Sequence, residues 1–198
     1  AVTLGGGEVR LIEMAGAYAA FANGGLKVEP TAILKVENQE GKVLEEAKPT
    51  KGKQVLTQGE AFIISDILAD NNARLISFGA NSLLNVPGRQ VAVKTGTTNN
   101  MKDNWAIGWT PQVLVGVWVG NNDNSSMKQV ASGISGASPI WRRVIMAALK
   151  DKPNVNFTPP DEVVKADIDV VSGQLAHDGF ASRQEYFLKG TQPQGEDK

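Results

Sequence analysis

The chain reads as an α+β domain, an antiparallel β-sheet packed against helices, and three observations predict it. Apolar residues recur at helical spacing in three separate segments. Two alternating runs, 104–110 and 112–120, meet at Thr110-Pro111, and so short a connection favours antiparallel neighbours. Of the 198 residues, 41% are hydrophobic and 21% charged, a balance that suits one globular domain of ordinary size or a large piece of a bigger one.

The elements follow in order. After the glycine-rich start AVTLGGG, the positions of Leu11, Met14, Ala15, Tyr18, Phe21 and Ala22 predict a helix from Val9 onward. Asn23-Gly24-Gly25 stops it, because glycine takes the left-handed position beyond a helix cheaply. Residues 31–37 and 42–46 read as a hairpin about Asn38-Gln39-Glu40-Gly41. A polar link with Pro49 and Gly52 leads to Thr57-Gln58-Gly59-Glu60, whose spacing is that of a capping box. The helix it opens carries Phe62, Ile64, Ile67 and Leu68, and Asn71-Asn72 weakens or ends it. A loop rich in Gly, Asn and Ser runs to Pro87-Gly88.

Three strands are expected next. The first is 91–94. The second is 104–110, with Trp105, Ile107 and Trp109 on one face. The third is 112–120, with Val113, Val115, Val117 and Val119 on one face and Leu114 and Trp118 on the other. Residues 121–126 form a polar tip. Ser138-Pro139 is a good N-cap and first-position pair for a helix bearing Trp141, Val144, Ile145, Ala148 and Leu149. Lys152-Pro153 ends that helix, so residues 1–152 are expected to form the main body and 153–198 an extension of the same domain. The extension holds three more prolines and a strand candidate at 168–171, and its polar end GTQPQGEDK is expected to fray.

Composition excludes several function classes. A formal net charge of -1 and a pI near 5.9 supply no global field for nucleic acid or an anionic membrane. The chain lacks cysteine, which removes disulfides and thiolate metal sites. The lone histidine, His177, rules out a multi-histidine metal centre; beside Asp178 and Gly179 it reads as a surface residue. No metal or other cofactor is expected. No apolar run reaches the roughly 18 residues of a spanning helix. The start shows no signal peptide, and Ala1 in place of an initiator Met is expected of a trimmed or partial chain. Gly5-Gly6-Gly7 lacks the Gly-Lys-Ser/Thr of a phosphate loop. Asp161, Asp167 and Asp169 read as solvated positions, Arg142-Arg143 as solvent-facing, and the four tryptophans mostly as core.

The chemically suggestive stretch is Lys94-Thr95-Gly96-Thr97-Thr98. At a strand end, Gly96 lets a ligand's backbone come close, since it has no Cβ. Lys94 puts a positive charge beside a cleft, and the hydroxyls of Thr95 and Thr97 can bind a carboxylate. A strand edge can also take up an extended peptide by main-chain pairing. The plain alternative is a Lys-bearing strand followed by a glycine turn.

The sequence around the motif carries a resemblance. Lys-Thr-Gly accompanies S-x-x-K and a serine–asparagine motif in penicillin-recognising serine enzymes. Here it is followed by KDNWAIGWTPQVLVGVWVGNND and then by GISGASPIWRRVI. These runs resemble the strands and last helix of the transpeptidase domain of class A penicillin-binding proteins. The opening TLGGGEVRLIEMAGAYAAFANGG resembles the segment just after that family's S-x-N motif, and FTPPDEVVKADIDVVSGQLA with QEYFLKGTQP its C-terminal part. The resemblance implies the C-terminal portion of a serine β-lactamase-like transpeptidase fold.

The resemblance also implies a chemistry for the parent. A serine attacks the bond between the last two D-alanines of a peptidoglycan stem peptide, and a neighbouring stem peptide's amine resolves the acyl-enzyme. β-Lactams trap that intermediate. On this reading Lys94 and Thr97 are catalytic, Lys94 by electrostatics and proton relay and Thr97 through its backbone N–H as an oxyanion donor. Thr95, Gly96, Thr97 and Thr98 are substrate-binding, the two threonines flanking Gly96 through the terminal carboxylate. The implied partners are the N-terminal half of the same domain, peptidoglycan stem peptides and β-lactams. No nucleic acid is expected, and the membrane is reached only through an upstream anchor of an extracytoplasmic parent.

The chain departs from the family in its nucleophile. The family's S-x-x-K lies upstream of the TLGGGEV segment, and neither it nor S-x-N occurs here in that order. The one formal match, Ser125-Ser126-Met127-Lys128, falls after Lys-Thr-Gly in the polar tip, where no rigid helix carries it. This chain alone is therefore expected to be inactive. Two further readings stay open: a non-catalytic module that holds a peptide by strand addition, and an α+β domain whose Lys-Thr-Gly is only a turn.

Overall fold

The computed structural model describes residues 7–48, 50–127, 135–177 and 181–195. Its elements are α1 (Leu11–Ala22), β1 (Leu26–Lys27), β2 (Lys35–Glu37), β3 (Val43–Glu46), β4 (Lys53–Gln54), α2 (Gln58–Ala69), α3 (Leu75–Phe78), β5 (Ala92–Thr97), β6 (Asp103–Trp109), β7 (Leu114–Gly120), α4 (Ala137–Leu149), β8 (Val163–Asp169) and β9 (Ser182–Leu188). The central sheet has the order β5-β6-β7 and is antiparallel throughout.

Strand alternation divides that sheet into two apolar faces. Val91, Val93, Ala106 and Val115 join Trp141, Ile145 and Leu149 of α4, with Val113, Val117 and Val119 packed against them. The opposite face presents Ala92, Trp109 and Leu114 to α1 and α2. There Trp109 is fully buried, with Tyr18 edge-on at 5.5 Å and Phe21 stacked at 5.8 Å between ring centres. Its indole N–H donates to the buried Ser65 hydroxyl (3.1 Å), which itself donates to Ala61 O (2.8 Å). The sheet is thus the middle of three layers, and the facing expected for the valines of β7 is the one observed. Trp109 and Trp141 are core, whereas Trp105 and Trp118 are half-buried.

The capping box of α2 forms as its spacing predicts: Glu60 N donates to Thr57 Oγ1 (3.1 Å) and Thr57 N to Glu60 Oε2 (2.7 Å). Asp70 then closes the helix, its Oδ1 accepting from Asn72 N at 2.8 Å. The hairpin of β2 and β3 is present but shorter than 31–37 and 42–46.

Several expectations are corrected. The strand expected at 91–94 runs on through Thr97, because Thr95 and Thr97 pair with Ala106 and Asn104 of β6. The helix expected to start at Ser138-Pro139 has Gly136 as its N-cap, and the Asn104 side chain receives the Ala137 amide. The loop before Pro87 contains α3 and sends Leu84 and Val86 into the core. Arg142 is not solvent-facing: it donates to Leu83 O (3.1 Å) and Asn85 O, holding that loop to α4. Arg89 caps the other end of α4, donating to Leu149 O (2.9 Å), Lys152 O (2.6 Å) and Pro153 O (2.7 Å) where the helix dipole favours a cation.

Of the strand candidate at 168–171, Ile168 and Asp169 end a longer strand, β8, which pairs with β9 along its whole length, whereas Val170 and Val171 lie in the turn beyond it. Asp169 is buried rather than solvated, and its Oδ1 accepts from Val171 N (2.8 Å) and Ser172 N (2.9 Å). This hairpin lies on α2: Phe62 meets Tyr186 edge-on at 4.9 Å, and Glu162 Oε2 accepts from Gly59 N at 2.8 Å. In the polar end, Gly195 O accepts from Leu175 N (3.0 Å), and residues 196–198 lie outside the described residues.

Candidate active site

The Lys-Thr-Gly stretch occupies the last four residues of β5, which among the described residues pairs on one side only, with β6. The register decides which main-chain groups are free. Thr98 N donates to Asp103 O (3.0 Å), just beyond the Thr97–Asn104 pair. Antiparallel ladders alternate bonded and non-bonded pairs. Hence Lys94 and Gly96 turn their main-chain groups to β6, while Thr95 and Thr97 turn their N–H and C=O to the free edge. An extended ligand meets the Thr95 N–H and both main-chain groups of Thr97 there, while the Thr95 C=O accepts from the Lys94 ammonium.

The side chains add a cation and hydroxyls to that edge. Lys94 is exposed and donates to Thr95 O. None of the ion pairs among the described residues involves it. A Cβ on Gly96 would first meet the Trp105 Cβ, at 3.8 Å, so Trp105 lies alongside the glycine.

The two threonines after Gly96 differ in where their protons go. Thr98 Oγ1 accepts from Asp103 N (2.8 Å) and donates to Asp103 Oδ2 (3.1 Å); Asp103 Oδ1 accepts from the Trp118 indole N–H (2.8 Å). Thr98 therefore braces the turn into β6, where Asn100 and Met101 both take positive φ (62° and 52°). Thr97, which is exposed, accepts at its Oγ1 from Asn104 Nδ2 (2.9 Å). Asp103 and Asn104 escaped the sequence reading as site residues, and Trp118 was read only as a strand-face residue. Their signal was the short connection from Thr97 to Asp103, which forces Asn104 opposite Thr97.

The formal alternative nucleophile gains no support. Ser125 Oγ donates to Asp123 Oδ1 (2.6 Å), and Lys128 lies outside the described residues. Among the described residues no cluster of three or more His, Asp or Glu forms a metal site, and no helix is long and apolar enough to cross a membrane.

Residues 2–145 match the family described as penicillin binding protein transpeptidase domain. The chain belongs to that family. Residues 159–198 match a second description, penicillin-binding protein 1A, C-terminal domain. Penicillin-binding protein 2D of Bacillus subtilis is 37% identical over 97% of this chain. The crystal structure of penicillin-binding protein 1A from Haemophilus influenzae superposes with a TM-score of 0.84 at 27% identity over 95% of the chain. PonA1 of Mycobacterium tuberculosis in complex with penicillin V gives 0.66 at 30% identity over 81%. The chain spans only 28%, 33% and 44% of these three relatives. Both the family and the fold expected from the sequence hold.

Proposed function

We propose that this chain supplies the Lys-Thr-Gly wall of a peptidoglycan D,D-transpeptidase whose nucleophilic serine and S-x-N motif lie on a partner segment, the N-terminal half of the same domain. The observation that carries this reading is the free edge of β5, where the Lys94 ammonium reaches the Thr95 carbonyl and the main-chain groups of Thr95 and Thr97 face away from β6. A stem peptide ending in two D-alanines lies along that edge and pairs with Thr95 and Thr97. Lys94 and the two hydroxyls receive its terminal carboxylate, and Gly96 leaves room for its backbone. Thr98 borders the same cleft.

The partner serine attacks the carbonyl before the last residue. As the C–O bond forms, the carbonyl electron pair becomes an oxyanion, stabilised by the Thr97 N–H and a donor on the partner segment. Collapse breaks the C–N bond and releases D-alanine, its amine protonated in a relay that Lys94 assists. The amine of a second stem peptide then displaces the serine. A β-lactam enters the same way, and its opened ring stays attached. The parent works outside the cytoplasmic membrane, held there by an anchor upstream.

The test is penicillin acylation of the complete transpeptidase domain. Lys94→Ala is expected to slow acylation about 10²–10³-fold, as when one preorganised electrostatic group is removed. Unchanged acylation by both Lys94→Ala and Thr97→Val would leave the strand-addition module as the better reading. Reversible binding of a D-Ala-D-Ala peptide without a covalent step would favour it directly.

A further inference from the structure

Thr97 and Asn104 face each other as a non-bonded pair of the β5–β6 ladder, the kind that brings side chains closest. Asn104 is fully buried. Its Oδ1 accepts from Ala137 N, the first amide of α4, at 2.6 Å. That bond settles which end of the carboxamide is oxygen, since an N–H donor cannot face an NH2 group. The NH2 end is therefore the one 2.9 Å from Thr97 Oγ1. A hydroxyl that accepts there keeps its own proton for another partner. Gly136 makes the arrangement possible, because a Cβ at that position would stand 2.4 Å from Asn104 Oδ1.

We propose that Asn104 is a positioning residue that fixes the polarity of the Thr97 hydroxyl, so that Thr97 donates its proton to the carboxylate of the bound ligand. The assignment rests on the reading of β5 as the carboxylate-binding wall. Thr98 shows the opposite case: its proton is taken by Asp103 Oδ2. Asn104 spares Thr97 that fate by offering a donor where an aspartate would offer an acceptor. The chain of bonds runs from the first turn of α4 through a buried amide to an exposed hydroxyl, so the helix orients a group it never touches.

The test uses the complete transpeptidase domain, with the nucleophile-bearing segment present, and benzylpenicillin as the probe. Asn104→Asp keeps an acceptor for Ala137 N, and a carboxylate at the amino end of a helix is favoured. Its second oxygen captures the Thr97 proton. The expected result is an apparent penicillin dissociation constant raised about tenfold, the worth of one hydrogen bond to a charged group. The acylation rate of the bound complex stays within about twofold, because the Thr97 N–H is untouched. In a Thr97→Val background the same substitution is expected to change nothing, since there is no hydroxyl to turn. Should Asn104→Asp not fold, Asn104→Ala replaces it, with a smaller rise in the dissociation constant that also vanishes in Thr97→Val. An unchanged dissociation constant in an acylating enzyme, or an equal effect with and without the Thr97 hydroxyl, would overturn the assignment alone. A wild-type domain that penicillin does not acylate would overturn the proposed function and the assignment together.

Discussion

Gly108 has no room for a methyl group. A Cβ there would stand 2.4 Å from the Trp141 ring and 2.9 Å from Ala92 O. Trp141 is fully buried between the sheet and the rest of the α4 core and cannot retreat. Gly108→Ala is therefore expected to destabilise the fold by about 1–3 kcal/mol through overpacking, read as a lower urea midpoint at an unchanged slope. At this scale the sequence exposed part of the site and hid the rest. Lys94, Thr95, Gly96 and Thr97 are contiguous, so their chemistry is visible in one line of text. Asn104 and Asp103 act across a strand pair. Their roles depend on a register that one residue more or less between Thr97 and Asn104 would reverse. Arg89 and Arg142 were hidden for the same reason: each satisfies carbonyls more than fifty positions away.

The C-terminal hairpin tests the account at the scale of elements. Its Glu162 carboxylate accepts from Gly59 N at the start of α2, and Leu188 lies against Gly59 so closely that a Cβ there would come within 2.6 Å of it. Helix α2 in turn packs on β5. Glu162→Ala is expected to cost about 1 kcal/mol, as for a lost helix cap, and to speed amide exchange in the first turn of α2 before it does so in α4. Asp169 gives the same hairpin an acid-sensitive end. The N–H groups of Ser172 first, then Val171, hold its carboxyl below the usual range, with His177 adding to them. A depressed carboxylate contributes stability above its unfolded pKa, near 3.9, and loses it as pH falls through the lower folded value. Exchange protection of β8 is thus expected to fall below about pH 4, and Asp169→Asn is expected to flatten that dependence. Helices α1, α2 and α4 and the meander β5–β7 were legible because their apolar periods are strong and their neighbours are local. The β8–β9 pairing was not, because twelve residues separate the strands and β9 opens with four polar residues, Ser182 to Glu185, that carry no apolar alternation.

The whole molecule is a sheet with helices on both faces, and among the described residues no strand covers its chemically loaded edge. Val9 and Ile12 are 46% and 57% exposed about the start of α1, and Ile67 on α2 is 57% exposed. Such side chains are ordinary singly; on the proposed reading, a partner segment that completes the cleft would cover some of them. The chain alone is expected to bind a hydrophobic dye and to release it when the nucleophile-bearing half is added. A monodisperse chain that binds no dye would count against that partner.

The most direct measurement is intact mass after incubation with a penicillin, on this chain alone and on this chain mixed with the half that carries the serine. The account predicts no adduct on the isolated chain, and in the mixture one adduct on the other half. An adduct on the isolated chain would contradict it, and would send the search for the nucleophile to Ser125.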